Sequence, residues 1–282
     1  MGIGHWFALC SPKKLQAKKD IMPTNESKAL QTLRGNIDWL KLDLQIIDVL
    51  CRKVIEDMKK YPVQEDHLSI ALNVDSSKYE ALNHPVCQSK IIFNQTINRR
   101  FEYAICQTYT FFTEYLHAIL FEMYKHDRKK VLTTIMNGYE NQDKANNVKM
   151  LSVYEIIKLG TYENIEKKII DDIFRKLEDE RSTKKLLQKI LKCADLISKV
   201  DESIIEQTLQ YLELRHLIIH HKSIVDEKYA TIYGSLFTPQ LVTGNKIPRT
   251  FETCKNSFEN TLKLCKLIDK ELIYGGFIAT RK

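Results

Sequence analysis

Apolar residues recur at spacings of three and four along most of the chain, a pattern typical of helices that bury one face. The pattern is clear from residue 26 to about residue 60, and its apolar positions are Leu30, Leu33, Ile37, Leu40, Leu44 and Ile47. Asn25 or Ser27 is placed to cap this helix, because either side chain can accept a hydrogen bond from a first-turn amide. The helix is predicted to end before Pro62, which cannot continue it.

Most of the remaining chain also predicts helices. Residues 62–90 are mixed in character and predict a connecting segment with a short helix at most. The helices predicted beyond it cover about 91–126, 152–159, 162–180, 182–193, a stretch that Asp201 caps and that continues to His221, and 251–273. Residues 137–147 predict a polar loop, and residues 229–250 predict an irregular excursion with a hairpin across 243–245.

These elements predict an all-α fold: a helical bundle with a short irregular or hairpin excursion before the last helix. With only 9 Gly and 6 Pro, the chain has few residues that interrupt helices. We divide it at residue 90, into an N-terminal helical region (1–90) to which the sequence assigns no role and a helical domain (91–282).

Composition restricts the location and the partners only broadly. The formal net charge of +7 suits an anionic partner such as nucleic acid without identifying one. Seven scattered cysteines without a CxxC pair indicate reduced thiols rather than a disulfide framework or a zinc cluster, and so predict a cytoplasmic protein. The richest apolar run contains Glu114, His117 and Glu122, which argues against a membrane span. The N-terminus lacks the basic residues that precede the apolar part of a signal peptide.

One short stretch carries the candidate chemistry, "ELRHLIIHHKS", from Glu213 to Ser223. On a continuous helix, His216 would continue an apolar stripe that includes Leu212 and Ile219, and Arg215 would lie beside that stripe. Glu213, His216 and His220 would lie on or near one side of the same helix. An arginine so close to an apolar surface is costly unless an anion, a carboxylate or a partner subunit satisfies it.

Three kinds of site can explain this stretch. In the first, a carboxylate neutralises Arg215 in a structural ion pair and the histidines fill space. In the second, His216 and His220 share a zinc ion, although the stretch lacks the Glu of HExxH and the neighbouring arginine repels a cation. In the third, Arg215 binds phosphate through paired hydrogen bonds and an imidazole moves a proton near neutral pH. The third pair of groups can cleave RNA without a metal ion.

The run from Arg215 to His220 resembles the R-(polar)-x-x-x-H motif of HEPN domains, a family of small helical domains. The continuation "HKSIVDEKY" resembles the family's "HNxGxVxxxY", with His221 in place of the common Asn and Ser223 in place of Gly. Residues 101–124 resemble the family's first long helix, and residues 251–272 resemble its last. The resemblance covers roughly residues 91–275, so that the predicted bundle is of HEPN type.

The resemblance implies a function, since many HEPN proteins are metal-independent endoribonucleases of toxin–antitoxin, abortive-infection and other defence systems. It implies RNA as substrate (tRNA, mRNA or rRNA), no cofactor, a homodimer with a composite active site, and an antitoxin or defence protein as a further partner. It implies the catalytic pair Arg215, which holds the scissile phosphate, and His220, the acid/base residue.

The resemblance also places His216 in the polar support position and makes His221 the rival of His220 for the acid/base role. Helix geometry and charge add Glu213, which would orient a histidine, and Lys222, which would contact phosphate. Two other functions stay open at this point: a catalytically silent HEPN module that binds a nucleotide or a partner protein, and a plain helical scaffold.

Overall fold

A computed structural model describes residues 25–137, 152–179 and 182–280. Helices make up the regular structure of these ranges, which confirms the all-α class, and the described residues form no strand. In chain order the helices are α1 (Lys28–Lys59), α2 (Leu68–Ala71), α3 (Ser89–His126), α4 (Arg128–Asn137), α5 (Val153–Leu159), α6 (Tyr162–Glu178), α7 (Thr183–Cys193), α8 (Glu202–Leu212), α9 (Leu214–His220), α10 (Glu227–Tyr233) and α11 (Phe251–Tyr274).

The two longest helices, α1 and α3, pack along each other and share one hydrophobic core with α8 and α11. Ser27 caps α1, because its hydroxyl oxygen accepts a hydrogen bond of 3.0 Å from the amide of Leu30. The backbone amide of Ser27 donates to Asp269 on α11 at 2.9 Å, and its hydroxyl donates to the same carboxylate. The start of α1 is therefore joined to the C-terminal helix, while the division of the chain at residue 90 stays a prediction.

As predicted, the connecting segment before α3 contains little regular structure. It contains the single turn of α2 and two 3-10 turns, Glu80–Leu82 and Val86–Gln88. Met58, Leu68 and Val86 bury their side chains together in a small second cluster beside the end of α1. No helix in the described ranges is long and apolar enough to cross a membrane.

Two helices were not predicted from the sequence. The first is α4, which buries Val131 and Ile135 one turn apart; the polar loop predicted at 137–147 lies outside the described residues beyond Asn137. The second is α10, which is capped by Asp226 and falls partly within the predicted irregular excursion. Both are short, so their apolar periodicity spans too few turns to stand out.

The excursion before α11 is irregular, and the hairpin across 243–245 is not formed. Gly244, at a φ of +87°, sits in a turn, but the chain after it pairs with residues that precede α10. The amide of Val225 donates to the carbonyl of Asn245 at 2.8 Å, and the amide of Ile247 donates to that of Ser223 at 3.0 Å. Hydrogen bonds to a distant segment thus replace those that a local hairpin would have made.

The continuous helix predicted from Asp201 to His221 is wrong, because it breaks into α8 and α9 at Glu213. At the break, the amide of His216 donates to the carbonyl of Glu213 three residues earlier, at 3.0 Å. On the preceding turn, the hydroxyl of the buried Tyr229 donates to the carbonyl of Gln210. A backbone acceptor in the last turn of α8 is therefore satisfied by a side chain from α10.

The break changes which residues the second half of this segment buries. α8 buries Ile205, Leu209 and Leu212, as the periodicity predicts. In α9 the buried residues are Leu214 and Leu217, whereas His216 is exposed and Ile219 is 51% exposed. The prediction that His216 continues the apolar stripe is therefore wrong, and the break turns the histidine towards solvent.

Candidate active site

An open pocket of about 650 Å³ lies where the α8–α9 break faces α3 and the start of α7. Four of the residues singled out on the sequence line it: Glu213, Arg215, His216 and His220. The structure adds residues from other helices and loops, namely Tyr109, Glu178, Ser182, Thr183, Leu186, Leu212 and Lys228. We refer to this as the motif pocket.

Arg215 is held against an aromatic ring in the motif pocket. Its guanidinium carbon lies 4.3 Å from the centre of the Tyr109 ring on α3, within the range of a cation–π interaction. Within residues 25–137, 152–179 and 182–280, no carboxylate oxygen lies within 4.0 Å of the guanidinium. The structural ion pair left open on the sequence is thus not formed among the described residues.

The carboxylate of Glu178 interacts with Arg215 from a longer distance. Burial raises the pKa of Glu178 above its ordinary value, and the charges of Arg215 and His117 offset part of that increase. Burial also raises the pKa of Tyr109, and the charge of Arg215 again acts in the opposite direction. The guanidinium therefore lies in a partly desolvated site, where its interaction with an anion is stronger than in bulk water.

The histidines form a cluster around His216. Its ring centre lies 4.9 Å from that of His220 and 5.2 Å from that of His221. Partial desolvation by the surrounding side chains lowers the pKa of His216, and its electrostatic interaction with His220 and His221 lowers it further. His216 is therefore neutral at neutral pH, with one ring nitrogen able to accept a hydrogen bond and the other able to donate one.

His220 and His221 occupy different surroundings. His220 lines the motif pocket with Arg215, whereas His221 does not. The Nε2 atom of His221 lies 3.5 Å from a carboxylate oxygen of Asp226, whose other oxygen accepts a hydrogen bond of 2.7 Å from the amide of Tyr229. His221 is thus directed towards the cap of α10, and His220 is the histidine better placed to reach a ligand beside Arg215.

A set of potential metal ligands also lies here, although it differs from the His216–His220 pair considered on the sequence. One donor atom each from His216, His221 and Asp226 lies within 4.8 Å of the other two. Tetrahedral zinc with bonds of about 2.1 Å holds neighbouring donor atoms at about 3.4 Å. The separation of 3.5 Å between His221 and Asp226 is close to this value, while Arg215 on the same helix disfavours a cation.

Lys222 lies outside the motif pocket. The chain turns sharply after α9, with the amides of His221 and Ser223 both donating to the carbonyl of Leu217 at 3.0 Å. Lys222 and Ser223 have φ angles of +52° and +62°, in the left-handed region that residues with a Cβ rarely adopt. This turn places Lys222 in a second, neighbouring pocket of about 750 Å³.

The motif-pocket residues that sequence reasoning missed come from elements far apart in the chain. Tyr109 belongs to the middle of α3, Glu178 is the last residue of α6, and Lys228 is in the first turn of α10. Each looks like an ordinary surface or core residue of its own helix. Nothing in the local pattern associates them with Arg215.

No family model, curated protein or solved structure matches this chain.

Proposed function

We propose that the protein is an endoribonuclease that cleaves RNA without a metal ion and leaves a 2′,3′-cyclic phosphate. The observation that carries this proposal is that Arg215 and His220 line one open pocket, while no carboxylate among the described residues pairs with the guanidinium. An arginine in this state can bind a phosphate, and an adjacent imidazole can move a proton.

In the proposed reaction, the ribose 2′-oxygen forms a bond to the adjacent phosphorus and the bond from phosphorus to the 5′-oxygen breaks. His220 is the acid/base residue of this transfer, in which the 2′-hydroxyl loses a proton and the departing 5′-oxygen gains one. Arg215 binds the two non-bridging oxygens and stabilises the charge that develops on them. His216, neutral and 4.9 Å away between ring centres, supports His220.

The turn after α9 supports the proposal through positions of the resemblance that lie outside the run from Arg215 to His220. Where HEPN domains commonly have a glycine, this chain has Ser223 in the left-handed region at a φ of +62°. The valine and tyrosine of the same pattern are Val225 and Tyr229, which are only 1% and 5% exposed. Three positions of the resemblance therefore have the conformation or burial that their residue types in the pattern require.

The proposed partners follow from the same reasoning. RNA is the substrate, and Lys228 at the motif pocket adds positive charge that attracts its backbone. A second copy of the chain completes the site, since Ile219 and Ile224 beside the motif are 51% and 40% exposed. A role in defence or growth arrest, with an antitoxin or defence protein that controls cleavage, belongs to this proposal as well.

The test is cleavage of total RNA and bulk tRNA by the full-length protein in the presence of EDTA. Discrete fragments that end in 2′,3′-cyclic phosphate are expected from the unmodified protein, and from neither Arg215→Ala nor His220→Ala. His221→Ala is the matched control, because His221 lies outside the motif pocket, and it should retain activity. Thermal melting of each variant separates lost chemistry from lost folding.

Two results would contradict the proposal. An equal loss of cleavage activity in His221→Ala and His220→Ala would contradict the assignment of His220 as the acid/base residue. Absence of cleavage by the unmodified protein on every RNA, together with saturable binding of a nucleotide that Arg215→Ala abolishes, would instead favour the catalytically silent module.

A further inference from the structure

A second pocket adjoins the C-terminal end of α9 and has a strongly cationic lining. It measures about 750 Å³ and lies between α3, the turn after α9 and the segment before α11. Its charged residues are Arg99, Glu102, Lys222, Lys246 and Arg249. Among the described residues, four cationic side chains thus surround a single carboxylate, which leaves a formal excess of three positive charges. We refer to it as the basic pocket.

The one carboxylate in the basic pocket is already occupied by other groups. Glu102 is only 7% exposed, and the hydroxyl of Ser223 donates to it at 2.5 Å. The Nε atom of Arg249 lies 2.9 Å from the same carboxylate oxygen, and a guanidinium nitrogen of Arg99 lies 4.0 Å from the other. Glu102 therefore neutralises groups at the base of the pocket and holds them in place.

Lys222 and Lys246 keep their charge available. Both are exposed, and within the ranges that the structure describes neither ammonium lies within 4.0 Å of a carboxylate oxygen. An uncompensated pair of lysines in a concave site attracts anions, because low-dielectric walls concentrate their field.

The backbone brings these two lysines together. Lys222 is in the left-handed turn after α9, and the bridge between Ile224 and Lys246 joins that turn to the segment before α11. The amide of Ile247 donates to the carbonyl of Ser223 at 3.0 Å, which ties the same two segments again. The backbone positions from which the two lysines extend are therefore fixed relative to each other before an anion arrives.

We infer that the basic pocket binds a phosphate of the RNA backbone next to the phosphate held by Arg215. The inference rests on the proposed function, since it assigns the basic pocket to the same substrate. Lys222 follows His220 by two residues, so a strand with its scissile phosphate at His220 passes the turn that carries Lys222. Lysine and arginine contacts to phosphate position a strand without reading its sequence.

The test measures binding separately from cleavage. A fluorescent single-stranded RNA with 2′-O-methyl groups cannot undergo attack by the 2′-oxygen, and its affinity for the full-length protein is followed by anisotropy over a series of salt concentrations. The double variant Lys222→Gln/Lys246→Gln is compared with Lys53→Gln/Lys266→Gln, whose lysines are exposed and line neither pocket. Melting curves confirm that both variants fold.

Loss of the contact to this one phosphate should reduce the slope of log K against log salt concentration by about 0.7, the contribution of one neutralised phosphate on a single strand. The control variant should keep the slope of the unmodified protein. Equal slopes for the two double variants would overturn the inference. Adenosine 5′-monophosphate should compete only weakly with the RNA for the basic pocket. If it competes as strongly as the oligonucleotide does, the ligand of the basic pocket is a free nucleotide and not the RNA backbone.

The two proposals fail in different ways. His220→Ala should abolish cleavage of unmodified RNA and leave the salt slope unchanged, because His220 lies in the motif pocket. A protein that never cleaves RNA but loses slope in Lys222→Gln/Lys246→Gln would retain the phosphate site and lose the proposed chemistry. A protein that cleaves RNA, but whose salt slope is the same in Lys222→Gln/Lys246→Gln, would retain the proposed chemistry and lose the phosphate site.

Discussion

The guanidinium of Arg215 on α9 lies over the ring of Tyr109 on α3, with 4.3 Å between its central carbon and the ring centre. The stacked ring fixes the plane of the guanidinium while leaving its N–H groups free to bind an anion. A half-buried ring and a partly desolvated cation thus form part of the wall of the motif pocket. Tyr109 therefore acts as a positioning residue for Arg215, although its sequence pattern is that of any residue on a helix.

Replacement of Tyr109 by leucine should weaken RNA cleavage. A cation–π contact of this kind contributes about 1 kcal/mol, so kcat/KM in Tyr109→Leu should fall about fivefold relative to the unmodified protein. Tyr109→Phe keeps the ring and should stay within about twofold. Kinetics on one defined RNA in EDTA decide the matter, and equal losses in the two variants would assign the effect to the hydroxyl group instead of the ring.

The break between α8 and α9 should depend on the hydroxyl of Tyr229, which donates to the carbonyl of Gln210. Tyr229→Phe leaves that buried acceptor without its partner and should reduce the free energy of unfolding by about 1–2 kcal/mol. Tyr233→Phe, one turn later on α10, is the matched control and should change it by less than about 0.5 kcal/mol. Urea denaturation measures both, and equal values would show that the Tyr229 hydroxyl does not stabilise the fold.

His216 should make stability depend on pH. Its pKa in the folded protein lies below the ordinary histidine value of 6.5, chiefly through partial desolvation and then through electrostatic interaction with His220 and His221. Below pH 6.5 the unfolded chain therefore binds protons at this residue more readily than the folded protein does, so stability falls as the pH drops through that value. His216→Gln removes this contribution.

The measurement is the melting temperature at about pH 7.5 and about pH 5.5, on either side of the ordinary histidine pKa. The decrease on acidification should be smaller in His216→Gln than in the unmodified protein. His84→Gln, which changes an exposed histidine outside the cluster, should show the full decrease. An identical decrease in all three proteins would contradict a lowered pKa at His216.

The proposed homodimer makes a separate prediction about two exposed apolar residues. Ile219 lies beside the motif and is 51% exposed, whereas Trp39 lies on α1 and is 72% exposed. Ile219 also lines the cationic basic pocket, where a new carboxylate would find a partner, so the informative substitution introduces a positive charge. A positive charge buried in an interface beside other cations is strongly unfavourable, so Ile219→Arg should yield a monomer and Trp39→Arg should remain a dimer. Sedimentation velocity over a concentration series distinguishes them. Dissociation by Trp39→Arg alone would place the contact on α1 and exclude a composite site at the motif.

The sequence predicts the helices well wherever the apolar periodicity is long. The bounds of α1, α3 and α11 agree with prediction to within two residues or so, and the caps at Ser27 and Asp201 are where their side chains and spacing placed them. Helix formation and capping involve residues no more than four positions apart, so the local pattern contains the necessary information.

The break at Glu213 could not be predicted in the same way. Leu209, Leu212, His216 and Ile219 have the spacing of one continuous stripe, and a helix of that register is locally reasonable. The actual register depends on Tyr229, which satisfies a backbone carbonyl of α8 from another helix. Such a contact between distant residues leaves no periodic trace in the sequence.

The sequence by itself therefore determined the all-α class, most helix bounds and the residues Arg215, His216 and His220 as candidates for phosphate chemistry. Only the tertiary structure decided that these side chains face solvent in one pocket, that Tyr109 stacks on Arg215, and that Lys222 joins Lys246 in a different pocket. The physical reason is the distance along the sequence between the residues that interact. Helix periodicity depends on neighbours within a turn or two, whereas a binding site depends on contacts between helices, which the local pattern of residues does not specify.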